Sequence, residues 1–498
     1  MSPIRPLTLK LIVFVVGAAS LGVELSAARL LAPYFGASTF VWANVIATIL
    51  VSLTVGYWLG GRMADRDPSP RRLCQIVALA AACLLAATFL ARPLLDAGVR
   101  ALDSIAAGAF VGSLLGVLLL FSVPVMLMGA VSPFAVRLSL RRVEDSGRTA
   151  GNLYAISTAG ALFGTFAVAL VMIPFAGTHR TFLALALGLA LVSVAGARRV
   201  ALPLVAAAGA LLWLPPPALK ASSADGRVIY ETETPYQYAR VVQSANGNRS
   251  LELNEGLAVH SLLRPGSYLT GDYWDEFLVL PRAVLPSPPG SIAILGNAAG
   301  TTARAYGHYF PATRVDAVEL DGHLTDIGRR YFDLHGPHLH TVTADARPFL
   351  RRTNHRYDAI FLDAYRQPYV PFYLATREFF ELVRTRLRPG GVVVMNVGHP
   401  AGSTTLERAL TRTLGIVFPQ VRRDAAEATN TLLIASAAAI EPNRLRASGG
   451  LPAELRPTAS RTAGRLGPGL RGGEVLTDDR APVEWLVDRS IVQYAARG

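Results

Sequence analysis

The chain has 498 residues, 51% of them hydrophobic, with a mean hydropathy of +0.36 and a formal net charge of +13 at pH 7. It is too long for one ordinary domain and too apolar for an entirely soluble protein. Almost all of the positive charge is arginine, because Lys10 and Lys220 are the only lysines. No run interleaves basic and aromatic residues as in proteins that bind single-stranded nucleic acid. The composition therefore favours a membrane protein and argues against a nucleic-acid partner.

The two cysteines do not predict a disulfide or a metal site. Cys74 and Cys83 lie in one apolar run, where the intervening turns of helix separate them by roughly 13 Å, too far for a disulfide. The sequence contains no CxxC motif and no His/Cys cluster, so we expect no bound metal.

The first part of the chain contains seven apolar runs. They are residues 9–31, 39–60, 73–90, 105–136, 153–175, 181–195 and 200–214. The first two are each long enough to cross about 30 Å of hydrocarbon. Because further runs follow it, the first is expected to be an anchor rather than a removed signal peptide. We expect residues 105–136 to form one tilted helix broken at Pro124.

Arginine-rich loops predict the orientation of these runs. The loops 61–72, 137–148 and 198–199 are rich in arginine, so the positive-inside rule places them in the cytoplasm with the N-terminus. Six crossings then return the chain to the cytoplasm. The run 200–214 is shorter than the roughly 20 residues of a spanning helix, and prolines interrupt and end it. We expect it to lie at the interface or as a re-entrant turn, which leaves residues 218–498 cytoplasmic.

One alternative topology and two local features remain open in the membrane half. Residues 105–136 could cross twice as a hairpin at Pro124, although loop 137–148 would then lie outside, against the charge rule. Glu24 and Arg29 lie in or near the first span, where ionisable side chains either pair or serve a function. The loop 60–72 resembles a loop of major facilitator transporters, but this short likeness does not predict transport.

The second half begins with a linker and hairpins. Residues 218–228 read as a linker, and residues 230–257 as short β-hairpins with a turn at Asn246-Gly247. Residues 441–473 are rich in proline, glycine and arginine without periodicity, so we expect a mobile segment. Residues 476–489 are expected to close the domain as a loop and a helix.

Residues 291–321 read as strand, glycine turn, helix and strand. The turn is G-N-A-A-G at residues 296–300, and the second strand ends near Glu319. Such a unit places backbone N–H groups and a helix N-terminus at the carboxyl edge of a parallel sheet. Glu319 is positioned to reach a ribose diol, as in nucleoside-binding crevices. The alternative is that the small residues only let the helix pack on the strand.

Further strands are predicted at residues 340–350, 356–365 and 388–397. The first ends in Asp345, followed by Ala346, and the second ends in Asp363. Acidic residues at successive strand ends suit a cationic nucleoside better than a dinucleotide pyrophosphate. The alternative is that each aspartate caps the next helix.

Taken together, these residues resemble the spermidine synthase family of aminopropyltransferases, in its membrane-bound bacterial form, over nearly the whole chain. The segments that carry the resemblance are TPYQYARVV (234–242), LNEGLAVHS (253–261), GDYWDEF (271–277), ILGNAAG (294–300), VELD (318–321), ADA (344–346), YDAIFLDAY (357–365) and LTDDRAPVE (476–484). The resemblance implies a multi-pass α-helical membrane domain (residues 1–217), a linker and β-hairpin subdomain (218–290), and an α/β Rossmann-like domain of the S-adenosylmethionine-methyltransferase type (291–498).

The resemblance also implies a reaction and a site. The aminopropyl group of decarboxylated S-adenosylmethionine would pass to a diamine such as putrescine, leaving methylthioadenosine, with Asp363 as the proton acceptor. Tyr273 and Asp275 would lie over the acceptor. The residues implied to hold the donor are Gln237, Gly296, Gly300, Glu319, Asp345 and Ala346.

The expected partners follow from the same family. They are the lipid bilayer of the inner membrane, the diamine and the nucleoside sulfonium, without a tightly bound cofactor, a metal or nucleic acid. A homodimer is compatible with this arrangement.

The sequence departs from the family pattern on the acceptor side. The glycine turn of the family carries an aspartate that binds an amine, and Ala299 occupies that position here. The family's catalytic loop carries a second aspartate, whereas residues 363–368 read D-A-Y-R-Q-P. The acceptor is therefore open. The alternatives are a methyltransferase-like enzyme that uses ordinary S-adenosylmethionine, and a membrane transport or sensor protein whose nucleoside domain does not catalyse.

Overall fold

The structure is a computed structural model that describes residues 5–487, except residues 37–38, 103–107, 141, 216–225, 255, 257, 366–368 and 448–449. The chain forms two compact units, residues 1–221 and 222–498, which are described separately below. Most of the predicted linker 218–228 and residues 366–368 of the predicted catalytic loop lie outside the described residues.

The N-terminal unit is helical. Its helices are α1 (Pro6–Phe35), α2 (Thr39–Arg66), α3 (Pro70–Leu102), α4 (Gly108–Gly129), α5 (Val131–Ser139), α6 (Ser146–Ala167) and α7 (Ile173–Leu212). Five helical stretches in the described part are long and apolar enough to cross a membrane, and the last of them covers Val143–Leu212. By length and composition, these stretches suit the membrane-spanning region that the sequence predicts.

Helices α1 and α6 pack through small residues. Gly160 and Gly164 form a G-x-x-x-G pair on α6, where a Cβ atom would overlap the backbone oxygens of Phe14 and Ala18 on α1. In a bilayer, the hydrophobic effect does not drive apolar helices together, because the lipid tails are equally apolar. Close backbone approach at small residues stabilises such helix pairs instead.

The predicted helix break at Pro124 is wrong. Helix α4 continues through Pro124 and ends at Gly129, and the break falls at Ala130 before α5. Prolines are tolerated inside membrane helices because neighbouring groups compensate for the lost backbone hydrogen bond. Gly129 instead approaches the backbone of Leu53 on α2, where a Cβ atom would lie 2.9 Å from the carbonyl oxygen. The continuous α4 also excludes a hairpin at Pro124.

The three last apolar runs form one interrupted helical stretch. A π-helical turn at Val168–Met172 joins α6 to α7, and α7 is kinked at Gly177 and Ala197. The segment after Ala197 is about 22 Å long, shorter than the hydrocarbon thickness of about 30 Å. That it does not cross the bilayer stays a prediction.

The C-terminal unit begins with a four-stranded antiparallel sheet. Its strands are β1 (Arg227–Glu233), β2 (Tyr238–Gln243), β3 (Arg249–Leu253) and β4 (Val259–Leu263), in this order across the sheet. Strands β2 and β3 pair with Gln243 opposite Arg249, so the hairpin predicted at Asn246-Gly247 is confirmed.

An eight-stranded sheet forms the centre of this unit. Its strands are β5 (Ser291–Leu295), β6 (Arg314–Glu319), β7 (Leu339–Thr343), β8 (Tyr357–Leu362), β9 (Leu387–Gly398), β10 (Gln420–Asp424), β11 (Asn430–Ser436) and β12 (Gly467–Pro468), in the order β12-β10-β11-β9-β8-β5-β6-β7. Strands β5 to β9 are parallel and β11 is antiparallel. The chain leaves β5 toward β6 on one side and returns to β8 on the other, which is the switch point where such sheets bind ligands.

Helices cover both faces of this sheet. They are α8 (Trp274–Val279), α9 (Thr301–Tyr309), α10 (Gly322–Tyr331), α11 (Ala346–Arg352), α12 (Arg377–Arg386), α13 (Thr405–Val417), α14 (Pro442–Arg446) and α15 (Arg456–Arg465). Every side chain of β5 is buried, as expected for a parallel strand covered on both faces. The predicted Rossmann-like fold is therefore present.

Two predictions about elements are wrong. The strand predicted over 340–350 ends at Thr343, because Asp345 caps α11. The segment 441–473, for which the sequence predicts a mobile segment without periodicity, contains α14 and α15. Leu455, Ala459 and Ala463 recur at helical spacing and are buried in the core. This weakly apolar stripe is the face through which α15 packs on the rest of the unit.

The glycine turn after β5 can be tested through Gly300. Its φ is +94°, and a Cβ atom there would overlap Leu334 Cδ1. Gly300→Ala should therefore lower the free energy of unfolding by about 2–4 kcal/mol. The matched control is Gly415→Ala in α13, where nothing lies within 4 Å and a gain of about 0.5–1 kcal/mol is expected.

The measurement is urea-dependent pulse proteolysis of the full-length protein in detergent, read on fragments of the C-terminal unit. Equal stability of the Gly300 and Gly415 variants would contradict the described turn.

Candidate active site

A pocket of about 480 Å³ opens at the carboxyl edge of the parallel strands, at the switch point between β5 and β8. Its wall combines β4, the loop before α8, the glycine turn, the ends of β8 and β9, and the turn that leads into β11. The polar side chains that matter most in its lining are His260, Asp272, Tyr273, Asn297, Asp363, Asn396 and Glu427. The fold thus brings titratable groups from distant parts of the sequence to one cavity.

Asp363 follows β8 and is held from two sides. Its carboxylate accepts a hydrogen bond from Asn396 Nδ2 at 2.9 Å and from the Tyr273 hydroxyl at 3.2 Å. The Asn396 side-chain oxygen accepts in turn from Asn430 Nδ2 at 3.0 Å, which fixes the amide so that its nitrogen faces Asp363. Asp363 therefore has one defined position in the pocket.

The surrounding protein changes the protonation of Asp363. Desolvation raises the pKa of this carboxyl to about 7, although hydrogen bonds from Asn396 and Tyr273 oppose the rise. A carboxyl with this pKa is partly ionised at neutral pH, so it can both accept and release a proton there.

Tyr273 links Asp363 to a further acidic residue. The Tyr273 backbone N–H donates to Glu427 Oε1 at 2.6 Å, and its ring lies 4.5 Å from that of Trp274 between centroids. Burial, followed by the charge of Asp363, raises the pKa of Tyr273 well above its usual value. The hydroxyl therefore stays protonated and donates to Asp363.

Two carboxylates in the pocket were not predicted from the sequence. Asp272 and Glu427 both line it, and desolvation raises the pKa of each. Asp272 lies beside the predicted Tyr273, within a segment already singled out. Glu427 lies in the turn between β10 and β11, and nothing in its local sequence marks it. Together with Asp363 they make this wall of the pocket acidic.

Asp275, which the resemblance implies to lie over the acceptor, does not line the pocket. Its Oδ1 accepts from the backbone and hydroxyl of Thr270, and its Oδ2 accepts from the backbone N–H of Gly271 at 2.8 Å. The side chain is buried. The geometry gives Asp275 the role of fixing the loop that carries Asp272 and Tyr273.

Glu319 is joined to the glycine turn. Its carboxylate accepts from the backbone N–H of Ala298 at 2.8 Å and of Asp321 at 3.0 Å. Burial raises the pKa of Glu319, and these backbone donors oppose the rise. The backbone N–H of Leu320 is a third donor, and a carboxylate has about four acceptor sites, so it can still accept from a hydroxyl.

The two predicted glycines differ in position. Gly296 lines the pocket, and a Cβ atom there would lie 2.5 Å from the Cα of Ala364. Its backbone therefore passes directly against the segment that carries Asp363. Gly300 closes the turn before α9 and does not line the pocket.

The other predicted nucleoside contacts lie near the ends of β6 and β7 and do not line the pocket. Gln237 Nε2 lies 3.5 Å from Asp321 Oδ2, and Ala346 begins α11. Asp345 caps that helix through the N–H of Arg347 and accepts from the Tyr373 hydroxyl at 2.7 Å. Asp345 therefore caps a helix, whereas Asp363, the other aspartate predicted at a strand end, faces the pocket.

His260 and Asn297 are further lining residues; both lie in segments that carry the resemblance, but neither is a predicted site residue. His260 Nε2 and both side-chain amide atoms of Asn297 are buried without a hydrogen-bond partner. Burial lowers the pKa of His260 to about 4, so its ring is neutral near pH 7. Buried polar atoms without partners are rare in native structures, and these are available to a bound molecule.

The fold and the pocket define a Rossmann-like domain of the S-adenosylmethionine-methyltransferase type, with a partly ionised carboxyl at its switch point. Residues 280–432 match the family model described as the spermine/spermidine synthase domain. The C-terminal unit of this chain therefore contains a segment that matches the spermine/spermidine synthase domain family.

Curated relatives are similar to part of the chain. It is 31% identical over 290 residues to a probable polyamine aminopropyl transferase of Bifidobacterium longum, covering 54% of this chain and 64% of that protein. It is 31% identical over 206 residues to polyamine aminopropyltransferase 2 of Pseudomonas aeruginosa, covering 39% of this chain and 56% of that protein. The chain thus spans less than two thirds of the length of these relatives.

Solved structures show a more distant similarity. A probable spermidine synthase from Corynebacterium glutamicum aligns with a TM-score of 0.39 and 21% identity, covering 49% of this chain and 96% of the other. The spermidine synthase of Thermotoga maritima aligns with a TM-score of 0.38 and 19% identity, covering 47% and 84%.

The hydrogen bond between Tyr273 and Asp363 can be tested by removing the hydroxyl. Tyr273→Phe takes away a donor that stabilises the charged carboxylate, so the pKa of Asp363 should rise further above about 7. An infrared pH titration measures it, with the carboxyl band assigned by its loss in Asp363→Asn.

Tyr365→Phe is the matched control, because the Tyr365 hydroxyl bonds the backbone of Asn396 and Gly398 rather than Asp363. An identical carboxyl titration in wild type and Tyr273→Phe would exclude the described contact.

Proposed function

We propose that this chain is an aminopropyltransferase that moves the aminopropyl group of decarboxylated S-adenosylmethionine to a diamine such as putrescine. The observation that carries the proposal is the pocket itself, where Asp363 shares a cavity with Asp272 and Glu427. The spermidine synthase domain and the names of the relatives, which are polyamine aminopropyltransferases, support it.

Asp363 accepts the proton that the attacking amine must lose. An alkylammonium group titrates near 10.4 in water, so little free amine is present at neutral pH. The ionised carboxylate takes one proton from the ammonium, which frees the nitrogen lone pair that forms the new C–N bond. The amine nitrogen attacks the methylene carbon bonded to the sulfonium, and the C–S bond breaks with its electron pair moving to sulfur. Neutral methylthioadenosine leaves, and the proton leaves from Asp363.

The remaining acids position the acceptor. A diamine enters with two ammonium groups, of which only one reacts. Asp272 and Glu427 stabilise the other, through charge-assisted hydrogen bonds. The Tyr273 hydroxyl and the Asn396 amide hold Asp363 in line, and such positioning supplies much of the rate enhancement in a two-substrate reaction. These carboxylates take the place of the amine-binding aspartate that the family carries in its glycine turn, where this chain has Ala299.

The donor nucleoside lies across the glycine turn in this proposal. Glu319 accepts from the ribose hydroxyls, Gln237 contacts the thioadenosine, and Asp345 with Ala346 contacts the adenine. Gly296 lets the backbone of the turn approach the donor, and Gly300 ends the turn. The donor is a substrate and no tightly bound cofactor or metal takes part.

One observation favours a second candidate, a methyltransferase-like enzyme that uses ordinary S-adenosylmethionine. His260 and Asn297 form a neutral part of the lining with unpartnered polar atoms, beside the N-terminus of α9. The carboxylate of an amino-acid tail could accept hydrogen bonds there. A product analysis with both donors separates the candidates.

The proposed proton acceptor predicts both a rate and a pH profile. Asp363→Asn should lower turnover by about 10²–10⁴-fold, with donor affinity in calorimetry unchanged. Because the carboxyl must be ionised to accept a proton, wild-type turnover should rise as pH increases through about 7. The Asp363→Asn variant should not show this rise of turnover with pH. Wild-type turnover in Asp363→Asn would refute the assigned role.

The acceptor subsite predicts a selective loss of diamine affinity. Glu427→Gln keeps an oxygen for the Tyr273 N–H but removes the charge, so the KM for the diamine should rise about 10-fold or more, and Asp272→Asn should behave alike. The KM for the donor should not change. Glu454→Gln is the matched control, since Glu454 bonds the Tyr309 hydroxyl away from the pocket. An unchanged diamine KM in both pocket variants would remove these residues from the subsite.

We also propose that the protein is a multi-pass inner-membrane protein with its C-terminal unit in the cytoplasm, where sulfonium donors are made. A reporter that is active only in the periplasm should stay inactive when fused after Gly498 or after Arg142. The same reporter fused after Arg100, behind an odd number of crossings, should be active. Strong activity after Gly498 would contradict the cytoplasmic placement.

A further inference from the structure

The edge of the sheet opposite the pocket is rich in arginine. Strands β5 to β9 run parallel, so their first residues meet at one edge, where the preceding helices also end. We call the arginines at this edge the amino-edge patch. They are Arg314, Arg351, Arg352, Arg356, Arg384, Arg386 and Arg388.

Hydrogen bonds show that these residues are neighbours. Arg386 at the end of α12 donates to the backbone oxygens of Leu350 and Arg351 at the end of α11. Arg388 in β9 donates to Asp358, near the start of the neighbouring β8. Arg356 directly precedes β8. The patch is therefore continuous across the ends of two helices and two strands.

The positive charge of the patch is largely uncompensated. Arg314 pairs with Asp316 at 2.9 Å, and Arg388 pairs with Asp358 at 3.0 Å. Within the described residues, the other five arginines take part in none of the ion pairs, and four of them are exposed: Arg351, Arg352, Arg356 and Arg384. Glu381, one turn earlier on α12, lies 3.8 Å from Arg377 outside the patch.

Helix stability accounts for only part of this arrangement. A cation in the last turn of a helix interacts favourably with its dipole, and Arg384 and Arg386 also donate to backbone oxygens. Arg351, Arg352 and Arg356 make no hydrogen bond through their side chains in the described structure, and Arg356 lies outside any helix. These three present their guanidinium groups to solvent, and only Arg351 among them lies near enough to a carboxylate, that of Asp478, to lower its pKa.

We propose that the amino-edge patch binds the anionic phosphate headgroups of the bilayer in which this same chain is anchored. Guanidinium groups bind phosphate oxygens in pairs of parallel hydrogen bonds. An anionic surface attracts basic clusters within a screening length of about 8–10 Å, and the membrane-spanning helices keep this unit close to such a surface. The proposal does not depend on which reaction the pocket catalyses.

If the amino-edge patch binds lipid headgroups, the two edges of the sheet have different functions. The carboxyl edge carries Asp272, Asp363 and Glu427 in the pocket, whereas the opposite edge carries the patch. With the patch against lipid, the pocket opens away from the bilayer and stays accessible to dissolved cationic molecules.

The test measures how close each edge lies to lipid in the full-length protein. Cysteines replace exposed residues at the patch (Thr385→Cys) and at the opposite edge (Ala425→Cys), and each carries a fluorophore. The natural cysteines lie in α3, so labelled wild type gives the background. Nanodiscs contain a nitroxide-headgroup lipid with either neutral or anionic phospholipid. Both leaflets are identical, so the result does not depend on sidedness.

We expect quenching at position 385 to be about twofold or more higher in anionic than in neutral nanodiscs, and this difference to vanish in high salt. Position 425 should show no such difference. R351E/R352E should abolish the effect, and R456E/R461E on α15, with the same change of charge at exposed positions, should preserve it.

Equal quenching at position 385 in both lipids would overturn the proposal. So would retention of the effect in R351E/R352E. A third outcome would assign the patch to nucleic acid instead. In that case quenching would not depend on the lipid, and the protein would bind a fluorescent RNA, with R351E/R352E abolishing this binding.

Discussion

The desolvated carboxylate of Asp363, held between the Tyr273 hydroxyl and the Asn396 amide, is the constraint on which the site depends. A charge in this position is costly unless hydrogen bonds satisfy it, and the two donors come from the loop before α8 and from β9. Each donor is fixed by a further contact, Tyr273 through Glu427 and Asn396 through Asn430. The polar chain around one carboxyl therefore ties β8, β9, β11 and the loop before α8 into a single preorganised wall.

The sheet supplies the geometry in which that wall can act. Parallel strands bring the ends of β5 and β8 together at the switch point, and the backbone of Gly296 passes directly against Ala364, next to Asp363. The same parallel arrangement collects helix ends at the opposite edge, where arginines accumulate. The domain thus has an acidic edge suited to cationic substrates and a basic edge suited to anionic lipid.

Most of the fold could be predicted from the sequence, because apolar strands, the Asn246-Gly247 turn and the long apolar helices are local signals. Helix α15 could not be predicted, because its buried face consists of alanine and threonine. These residues differ little in hydrophobicity from the exposed face, so no clear apolar periodicity results. Asp363 was accessible to prediction as a strand-end acid. Glu427 was not, because it meets Tyr273 from 154 positions away, and only the folded sheet brings the two together. Strand-end position alone also failed to separate Asp363 from Asp345, which caps a helix.

The central claim is that the acidic pocket transfers an aminopropyl group. The most direct measurement is mass spectrometry of the products formed by the purified full-length protein with each sulfonium donor and a series of diamines. The account predicts aminopropylated amine and methylthioadenosine in equal amounts from the decarboxylated donor, and no product in Asp363→Asn. Methylated amine formed from ordinary S-adenosylmethionine, or no product from either donor, would contradict it.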